Sequence, residues 1–122
     1  GIYDKKGFDP AVVEKYKRNN GSLNGFPKAE QVSNDQLLEL QCDLLVPAAL
    51  ENAITKHNAP NIKAGIVLEM ANGPTTTEAD DILYKKGIFK LKNHNVLDAL
   101  FYAVKFKGCS ITDEEINEME KL

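Results

Sequence analysis

Two segments of this chain place small, turn-forming and amide-bearing residues directly after apolar runs. The first is Pro47-Ala48-Ala49, which follows the run 44–46, and the second is Asn72-Gly73-Pro74, which comes soon after the run 66–68. Alanine side chains let a backbone approach a ligand closely, and the Asn72 amide offers both a hydrogen-bond donor and an acceptor. By themselves, however, the first segment is typical of a strand end and the second of a turn. A ligand crevice is the alternative, because an α/β sheet presents its ligands to the carboxyl ends of its parallel strands.

The other polar candidates favour ordinary surface roles. His57 and His94 are isolated in polar sequence, so solvated histidines are favoured over ligands or acid-base groups. Asp80-Asp81 has the composition of a carboxylate pair, but adjacent residues of a helix do not face each other. We therefore interpret this pair as helix surface rather than as a metal or acid-base site.

The two cysteines predict neither a metal site nor a disulfide. Cys42 and Cys109 lie far apart, and neither has a second thiol at the Cys-x-x-Cys spacing. This usage indicates a reducing, cytoplasmic setting. Cys42 opens an apolar run, where a buried thiol behaves as a small hydrophobe.

Composition excludes further classes. The formal net charge of −3 argues against a nucleic-acid partner, which normally selects a basic surface. No apolar run approaches the roughly 20 residues needed to span a bilayer, so we expect no membrane insertion. With 122 residues, of which 43% are hydrophobic, the chain is expected to form a single domain, 1–122, with one buried core.

The elements that position the two segments are predicted to be parallel strands. The run 44–46 is apolar without alternation, as in a strand buried on both faces, and further strands are expected at 66–68 and, more weakly, at 88–89. Strand starts about 22 residues apart, separated by helix-compatible sequence, indicate βαβ crossovers. The predicted class is therefore α/β, with a small parallel sheet flanked by helices. Because ligands bind outside the carboxyl ends of such strands, Ala48 and Asn72 are expected to meet on one rim.

Capping signals predict three helices in the first 90 residues. Asp9-Pro10 supplies an N-cap and a proline at the first helical position, and Gly21 ends that helix. Ser33-Asn34-Asp35-Gln36 has capping-box spacing, and Thr75-Thr76-Thr77-Glu78 repeats it. The third helix is expected to run to about residue 86, and Gly87 ends it.

The character of the chain changes toward its end. Residues 84–107 carry a net charge of +5 and residues 108–122 carry −4. The apolar residues of 96–104 fit helical spacing, but those of 100–106 also fit a strand, and so short a run leaves both interpretations open. We favour helix there, and a further capping box at Thr112-Asp113-Glu114-Glu115 predicts a short terminal helix.

The segments 46–52 (Val-Pro-Ala-Ala-Leu-Glu-Asn) and 70–76 (Met-Ala-Asn-Gly-Pro-Thr-Thr) resemble a known family. They look like the nucleotide-binding domain of glutamate dehydrogenase, within the glutamate/leucine/phenylalanine/valine dehydrogenases. The resemblance covers about residues 1–90, and the tail 91–122 is not assigned to it. It implies a partial doubly wound, Rossmann-like sheet and a cofactor of the NAD or NADP type. The implied parent reaction is oxidative deamination of an amino acid.

The resemblance also implies roles for particular residues. Pro47, Ala48 and Ala49 would lie beside the cofactor's ribose and pyrophosphate, and Asn72 near its nicotinamide end. Met70 departs from the family's usual glycine, and its side chain would fill space that the nicotinamide needs. The chain holds no Gly-x-Gly-x-x-Gly turn for the pyrophosphate. The family's catalytic lysine and aspartate belong to a separate domain without a counterpart here.

Two hypotheses follow. The first is a truncated or rebuilt dinucleotide-binding domain of the glutamate dehydrogenase type that is not catalytic alone. The second is a structural or engineered α/β module without cofactor binding. Under either, an exposed sheet edge is expected to favour self-association into a homo-oligomer.

Overall fold

The computed structural model describes residues 1–92, and the predictions for the rest of the tail, including His94 and Cys109, lie outside these residues. The chain separates into two compact units, Gly1–Leu38 and Glu39–Leu122. The division at residue 90 and the helical tail stay predictions.

The first unit is built around a two-stranded antiparallel sheet. Strand β1 (Ile2–Tyr3) pairs with β2 (Glu30–Gln31), and helices α1 (Pro10–Asn20) and α2 (Asn34–Leu38) complete the unit. Inside it, the rings of Phe8 and Phe26 meet edge to face with centroids 5.5 Å apart. Neither short strand was predicted from the sequence.

The predicted helix signals of this unit are confirmed. The Asp9 carboxylate accepts a hydrogen bond from the Ala11 N–H at 2.9 Å, and Gly21 ends α1 with a left-handed φ of 73°. The capping box closes in both directions: the Ser33 N–H donates to the Gln36 Oε1 at 2.8 Å, and the Gln36 N–H donates to the Ser33 Oγ at 3.1 Å.

The second unit contains the predicted parallel sheet. Strands β3 (Leu44–Leu45), β4 (Ile66–Glu69) and β5 (Phe89–Lys92) lie in the order β3-β4-β5. All four residues of the central strand β4 are buried, as expected for a strand covered on both faces. The core around it is apolar and is formed by Ile54, Ala59, Ile62, Ala64, Ile66, Val67, Leu68, Ala79 and Leu83.

Strand β3 differs from its prediction. Its leucines are only half-buried, and Val46 lies beyond the strand with 43% of its surface exposed. The reason is position: among the described residues β3 pairs only with β4, so it forms an edge of the sheet. The expectation that the run 44–46 forms a strand buried on both faces is therefore wrong, and the central strand β4 is the one buried in this way.

Helix α3 (Thr77–Lys85) begins one residue later than the predicted capping box implied. Thr76, not Thr75, is the N-cap, and its Oγ1 accepts a hydrogen bond from the Ala79 N–H at 3.3 Å. The Thr75 backbone is instead held by a parallel bridge to Ile54. Tertiary pairing therefore decides which of three successive threonines caps the helix, and Gly87 follows its end with φ 71°.

Cys42, which precedes β3, is partly buried and carries a free thiol. Burial raises the pKa of the Cys42 thiol above its ordinary value, and the neighbouring Asp43 carboxylate raises this pKa further. The pKa of Cys42 is higher in the folded protein than in the unfolded chain. The protonated thiol therefore makes its full contribution to folding stability at pH values below the pKa of the unfolded chain. That gain is lost as the pH rises through the folded pKa.

We therefore expect iodoacetamide to alkylate Cys42 more slowly in the folded protein than in urea at about pH 8, because only the thiolate reacts. Mass spectrometry of the Cys42 peptide over time measures the rate. Asp43→Asn is expected to accelerate the reaction of the folded protein more than the reaction in urea, where water screens the neighbouring charge more strongly. Equal folded and unfolded rates would contradict the argument.

Candidate ligand crevice

The loops that follow β3 and β4 lie side by side at one rim of the parallel sheet. The Pro47 carbonyl accepts hydrogen bonds from the N–H groups of Met70, at 3.2 Å, and Ala71, at 3.1 Å. A cavity of about 410 Å³ opens between the loops. Its lining residues are Ala48, Ala49, Leu50, Glu51, Met70, Ala71 and Asn72.

A second set of backbone bonds fixes the far ends of the same loops. The Asn52 N–H donates to the Gly73 carbonyl at 3.0 Å, and the Ile54 N–H donates to the Pro74 carbonyl at 2.8 Å. The Ile54 carbonyl in turn accepts from the Thr76 N–H at 3.0 Å. Backbone hydrogen bonds therefore join the two loops both before and after the residues that line the cavity.

A buried side-chain amide supports this arrangement from behind. Asn58 accepts a hydrogen bond from the Thr55 N–H at 2.8 Å and donates one to the Ala53 carbonyl at 3.0 Å. These two backbone groups flank Ile54, the residue that binds both Pro74 and Thr76. Because a buried amide is stable only when its polar atoms are bonded, Asn58 fixes the path of this loop.

The structure brings three of the four predicted site residues to the cavity surface. Ala48, Ala49 and Asn72 are exposed and line the same cavity. Pro47 is buried, and its part is to hold the neighbouring loop through its carbonyl. Met70 also reaches the cavity and is 37% exposed.

A smaller cavity of about 230 Å³ shares the lining residues Ala71 and Asn72 with the first. Its lining combines a buried carboxylate with two cations: Glu69, Ala71, Asn72, Gly73, Thr75, Lys90 and Lys92. Sequence reasoning missed Glu69 and Lys90 as a pair. The signal in the sequence was an acidic residue at the end of an apolar strand. A carboxylate that is buried at such a position needs a cation as its partner.

An ion-pair cluster joins β4, β5 and α3 at this cavity. The Lys90 ammonium lies 3.6 Å from the Glu69 Oε1 and 2.6 Å from the Asp80 Oδ1. Glu69 is only 6% exposed, whereas the Asp80 side chain is about half exposed. Asp80 therefore does more than cover a helix surface: it shares the cation that compensates the buried carboxylate.

Within residues 1–92, no three histidine, cysteine, aspartate or glutamate side chains come close enough together to hold a metal ion. None of the helices in the same range has the length and apolar character required to cross a bilayer. His57 is exposed, in agreement with its interpretation as a surface residue.

The model of the Glutamate/Leucine/Phenylalanine/Valine dehydrogenase family matches residues 1–96. The chain belongs to this family. Glutamate dehydrogenase of Thermotoga maritima is 53% identical over 88 residues, which are 72% of this chain and 21% of that protein. Glutamate dehydrogenase of Aeropyrum pernix is 50% identical over 121 residues, covering 94% of this chain and 29% of the relative. An NADP-specific glutamate dehydrogenase of Synechocystis is 48% identical over 99 residues, covering 73% of this chain and 23% of the relative.

Solved glutamate dehydrogenase structures agree with this membership. The hetero-hexameric enzyme of Thermus thermophilus superposes with a TM-score of 0.68 at 26% identity, covering 98% of this chain and 29% of that one. The Peptoniphilus asaccharolyticus enzyme gives a TM-score of 0.56 at 31% identity, covering 98% of this chain and 26% of that one. The chain thus spans less than a third of the length of the dehydrogenases it matches, and its sheet is a partial Rossmann-like arrangement of that family.

Proposed function

We propose that residues 44–76 form part of a dinucleotide-binding crevice for NAD or NADP. The observation that carries the proposal is the meeting of Ala48, Ala49 and Asn72 on one cavity, at the carboxyl rim of a parallel sheet. Doubly wound sheets bind nucleotides at this rim. The family membership of the chain supports the same ligand.

The proposed contacts come from the family resemblance, and the residue types at the rim fit them. The exposed Ala48 and Ala49 present short side chains, so the ribose and pyrophosphate would approach their backbone closely. The exposed Asn72 amide would hydrogen-bond near the nicotinamide, since it supplies a donor and an acceptor together. Pro47 holds the rim through its two accepted hydrogen bonds and contacts the ligand less directly.

We propose that these residues do not deaminate an amino acid by themselves. By family resemblance the catalytic lysine and aspartate belong to a separate domain. The hetero-hexameric state named for the Thermus relative suggests assembly through further copies or chains. The β3 edge is the proposed contact, because Leu44 and Leu45 pair on one side only among the described strands. Light scattering across a concentration series tests this, and a constant monomer mass would contradict it.

The cofactor proposal is tested by titration with NADH and NADPH, followed by fluorescence and calorimetry. We expect dissociation constants above roughly 100 μM, because the Met70 side chain lines the crevice and takes up part of its space. The absence of any saturable binding at roughly millimolar cofactor would contradict the proposal.

Asn72→Ala is expected to weaken binding of the reduced cofactor about fivefold, because one hydrogen bond contributes about 1 kcal/mol net. Asn61→Ala is the matched control. Asn61 is also an exposed asparagine of this unit, but its amide donates to the Glu39 Oε1 at 3.0 Å, away from the crevice lining. Equal losses in the two variants would assign the effect to general destabilisation.

Met70→Gly separates this proposal from the alternative of a structural α/β module. A widened crevice is expected to bind NADH about threefold more tightly, because a single obstructing side chain is removed. The structural-module alternative is based on the half-exposed edge strand β3. It predicts that Met70→Gly changes the stability of the protein but not its affinity for NADH. Calorimetric titration of both proteins, with melting curves alongside, distinguishes the two outcomes.

A further inference from the structure

Three asparagines of this chain are followed directly by glycine: Asn20, Asn24 and Asn72. In such a pair the glycine N–H lies next to the carbon of the asparagine side-chain amide, and glycine has no side chain to hinder an attack on that carbon. Asparagine is accordingly among the thermolabile residues of proteins. A pair reacts only when its two groups, the side-chain amide and the glycine N–H, are not held apart by hydrogen bonds.

The pair Asn20-Gly21 is restrained at both reacting groups. The Asn20 Nδ2 donates to the Tyr16 carbonyl at 2.8 Å, and the Gly21 N–H donates to the Lys17 carbonyl at 2.8 Å. Both bonds belong to the end of α1, so the last turn of the helix must open before this pair can cyclise. Asn20 is therefore protected by the fold.

The pair Asn24-Gly25 is restrained in a different way. It lies in a turn that is closed by the Phe26 N–H, which donates to the Leu23 carbonyl at 3.1 Å. The Asn24 carbonyl accepts from the Tyr16 hydroxyl at 3.0 Å. Because the carbon of this carbonyl would become part of the ring, these contacts slow the cyclisation of Asn24.

The crevice pair Asn72-Gly73 has none of these restraints. Both residues are exposed, and within residues 1–92 neither the Asn72 side-chain amide nor the Gly73 N–H makes a hydrogen bond. The bonds that join this loop to its neighbour use the Gly73 carbonyl and the N–H groups of Met70 and Ala71, which lie outside the ring that would form. A Cβ added to Gly73 would meet no atom of a more distant residue within 4 Å, so the ring and water have room there.

From these contacts we infer that Asn72 is a modification site, at which the crevice amide is converted spontaneously into a carboxylate. The Gly73 backbone nitrogen attacks the Asn72 Cγ, a new N–C bond forms, and the Cγ–Nδ2 bond breaks. Ammonia leaves with the proton of the Gly73 N–H, and a cyclic imide remains. Water then adds to one of the two imide carbonyls and opens the ring. The products are aspartate and isoaspartate, in which the backbone runs through the side chain.

The consequence of this modification for the ligand rests on the proposed function. Among the described residues, Glu51 is the only charged side chain that lines the larger cavity, and residue 72 lines the same cavity. A carboxylate at 72 removes the amide donor and adds a second negative charge, which repels the phosphates of NAD or NADP. The exposed Lys92 of the smaller cavity offsets little of this charge, because exposed ion pairs are weak. Modification therefore lowers the affinity of the crevice for the dinucleotide.

The first experiment measures the modification and uses no cofactor. The chain is incubated at mildly alkaline pH, where the attacking nitrogen loses its proton more readily, and is then digested with trypsin. Peptide 64–85 contains Asn72 as its only asparagine, and fragment ions of peptide 19–28 separate Asn20 from Asn24. Mass spectrometry is expected to show a gain of about one dalton at Asn72 at least about tenfold faster than at Asn20, where two hydrogen bonds must first break.

Two controls assign this difference to the fold and to the reaction. In urea the rates at Asn72 and Asn20 should become similar, because both are Asn-Gly pairs. Asn72→Gln should remove the mass gain from peptide 64–85, because the longer side chain has to close a larger ring. Equal rates at the two asparagines in the folded protein, or a difference that persists in urea, would overturn the inference.

The second experiment measures the consequence by titration with NADH. Asn72→Asp reproduces the aspartate product and is expected to weaken binding about tenfold at low ionic strength, about twice the loss expected for Asn72→Ala, because a charge is added to the lost hydrogen bond. High salt should remove the additional loss. Asn24→Asp is the matched control, because Asn24 is also an exposed Asn-Gly asparagine but lines neither cavity. It should leave the affinity for NADH unchanged.

The two experiments fail independently. If Asn72 gains mass and NADH does not bind, the modification site stands and the dinucleotide proposal fails. If NADH binds and Asn72 gains mass no faster than Asn20, the proposed function stands and the inference is overturned. If Asn72→Asp binds NADH as tightly as the unaltered chain, the consequence inferred for the crevice is wrong.

Discussion

Replacing Lys90 with methionine is expected to lower the free energy of unfolding by about 3 kcal/mol. The Lys90 ammonium is the described cation nearest the Glu69 carboxylate, at 3.6 Å, and Glu69 is buried at the end of the central strand. Methionine keeps the unbranched stem and the apolar packing of lysine but removes the charge. The Glu69 carboxylate then stays buried without its counter-charge. Removing one partner of a buried ion pair in this way is strongly destabilising.

Asp80 is not expected to reduce or increase the loss of stability caused by Lys90→Met. Its side chain is about half exposed, so water solvates it once Lys90 is removed. The loss therefore arises from Glu69, and a second substitution tests that assignment. Glu69→Gln combined with Lys90→Met should recover most of the stability, because no charge is then left buried.

Lys92→Met is the matched control for Lys90→Met. Lys92 lies two positions further along the same strand, on the same face, but it is exposed. Its replacement is expected to change the free energy of unfolding by less than about 0.5 kcal/mol. Chemical denaturation of the three variants and the unaltered protein, analysed with a common slope, measures the differences. Similar losses of unfolding free energy for Lys90→Met and Lys92→Met would show that the ion pair between Lys90 and Glu69 makes no specific contribution to stability.

Valine at Thr75 and at Thr76 is expected to change stability in opposite directions. Thr75 Oγ1 is buried and has no hydrogen-bond partner among the described residues. Valine has the same shape without the polar atom, so Thr75→Val should raise the free energy of unfolding by about 1 kcal/mol. The Thr76 Oγ1 caps α3, so Thr76→Val should lower it by about 1 kcal/mol.

The two threonines form an internal control, since they are adjacent, β-branched and half-buried. Thermal and denaturant melts of the two valine variants should therefore differ by about 2 kcal/mol. If Thr75→Val destabilises the protein, its hydroxyl has a partner that the described residues do not supply. If both variants destabilise equally, the assignment of Thr76 as N-cap is wrong.

Much of the local structure was predictable because its causes are local in sequence. Asp9 and Gly21 bound α1, and Ser33 and Gln36 close their capping box. These contacts are bonds between residues two to four positions apart, or a backbone angle of one residue. The parallel strands were predictable for the related reason that their apolar runs and spacing encode βαβ connections. The meeting of Ala48 and Asn72 followed from that topology.

The tertiary structure alone decided features that depend on distant neighbours. Strand β3 is half-buried because it pairs on one side only among the described strands, which its apolar sequence does not indicate. Thr76 caps α3 because Ile54, more than 20 positions away, engages Thr75 in a bridge. Lys90 compensates Glu69 across two strands, although neither residue carries a motif.

The sequence by itself determined the family, the parallel α/β class, the helix caps of the first unit and the rim residues of the crevice. It did so because periodicity, capping chemistry and motif are written in neighbouring residues. The tertiary structure decided which strand forms an edge, which carboxylate is buried beside a lysine, and that Leu50 and Met70 share one cavity. These features arise from packing between segments far apart in the chain, and the partner of a buried charge is not encoded in its neighbouring residues.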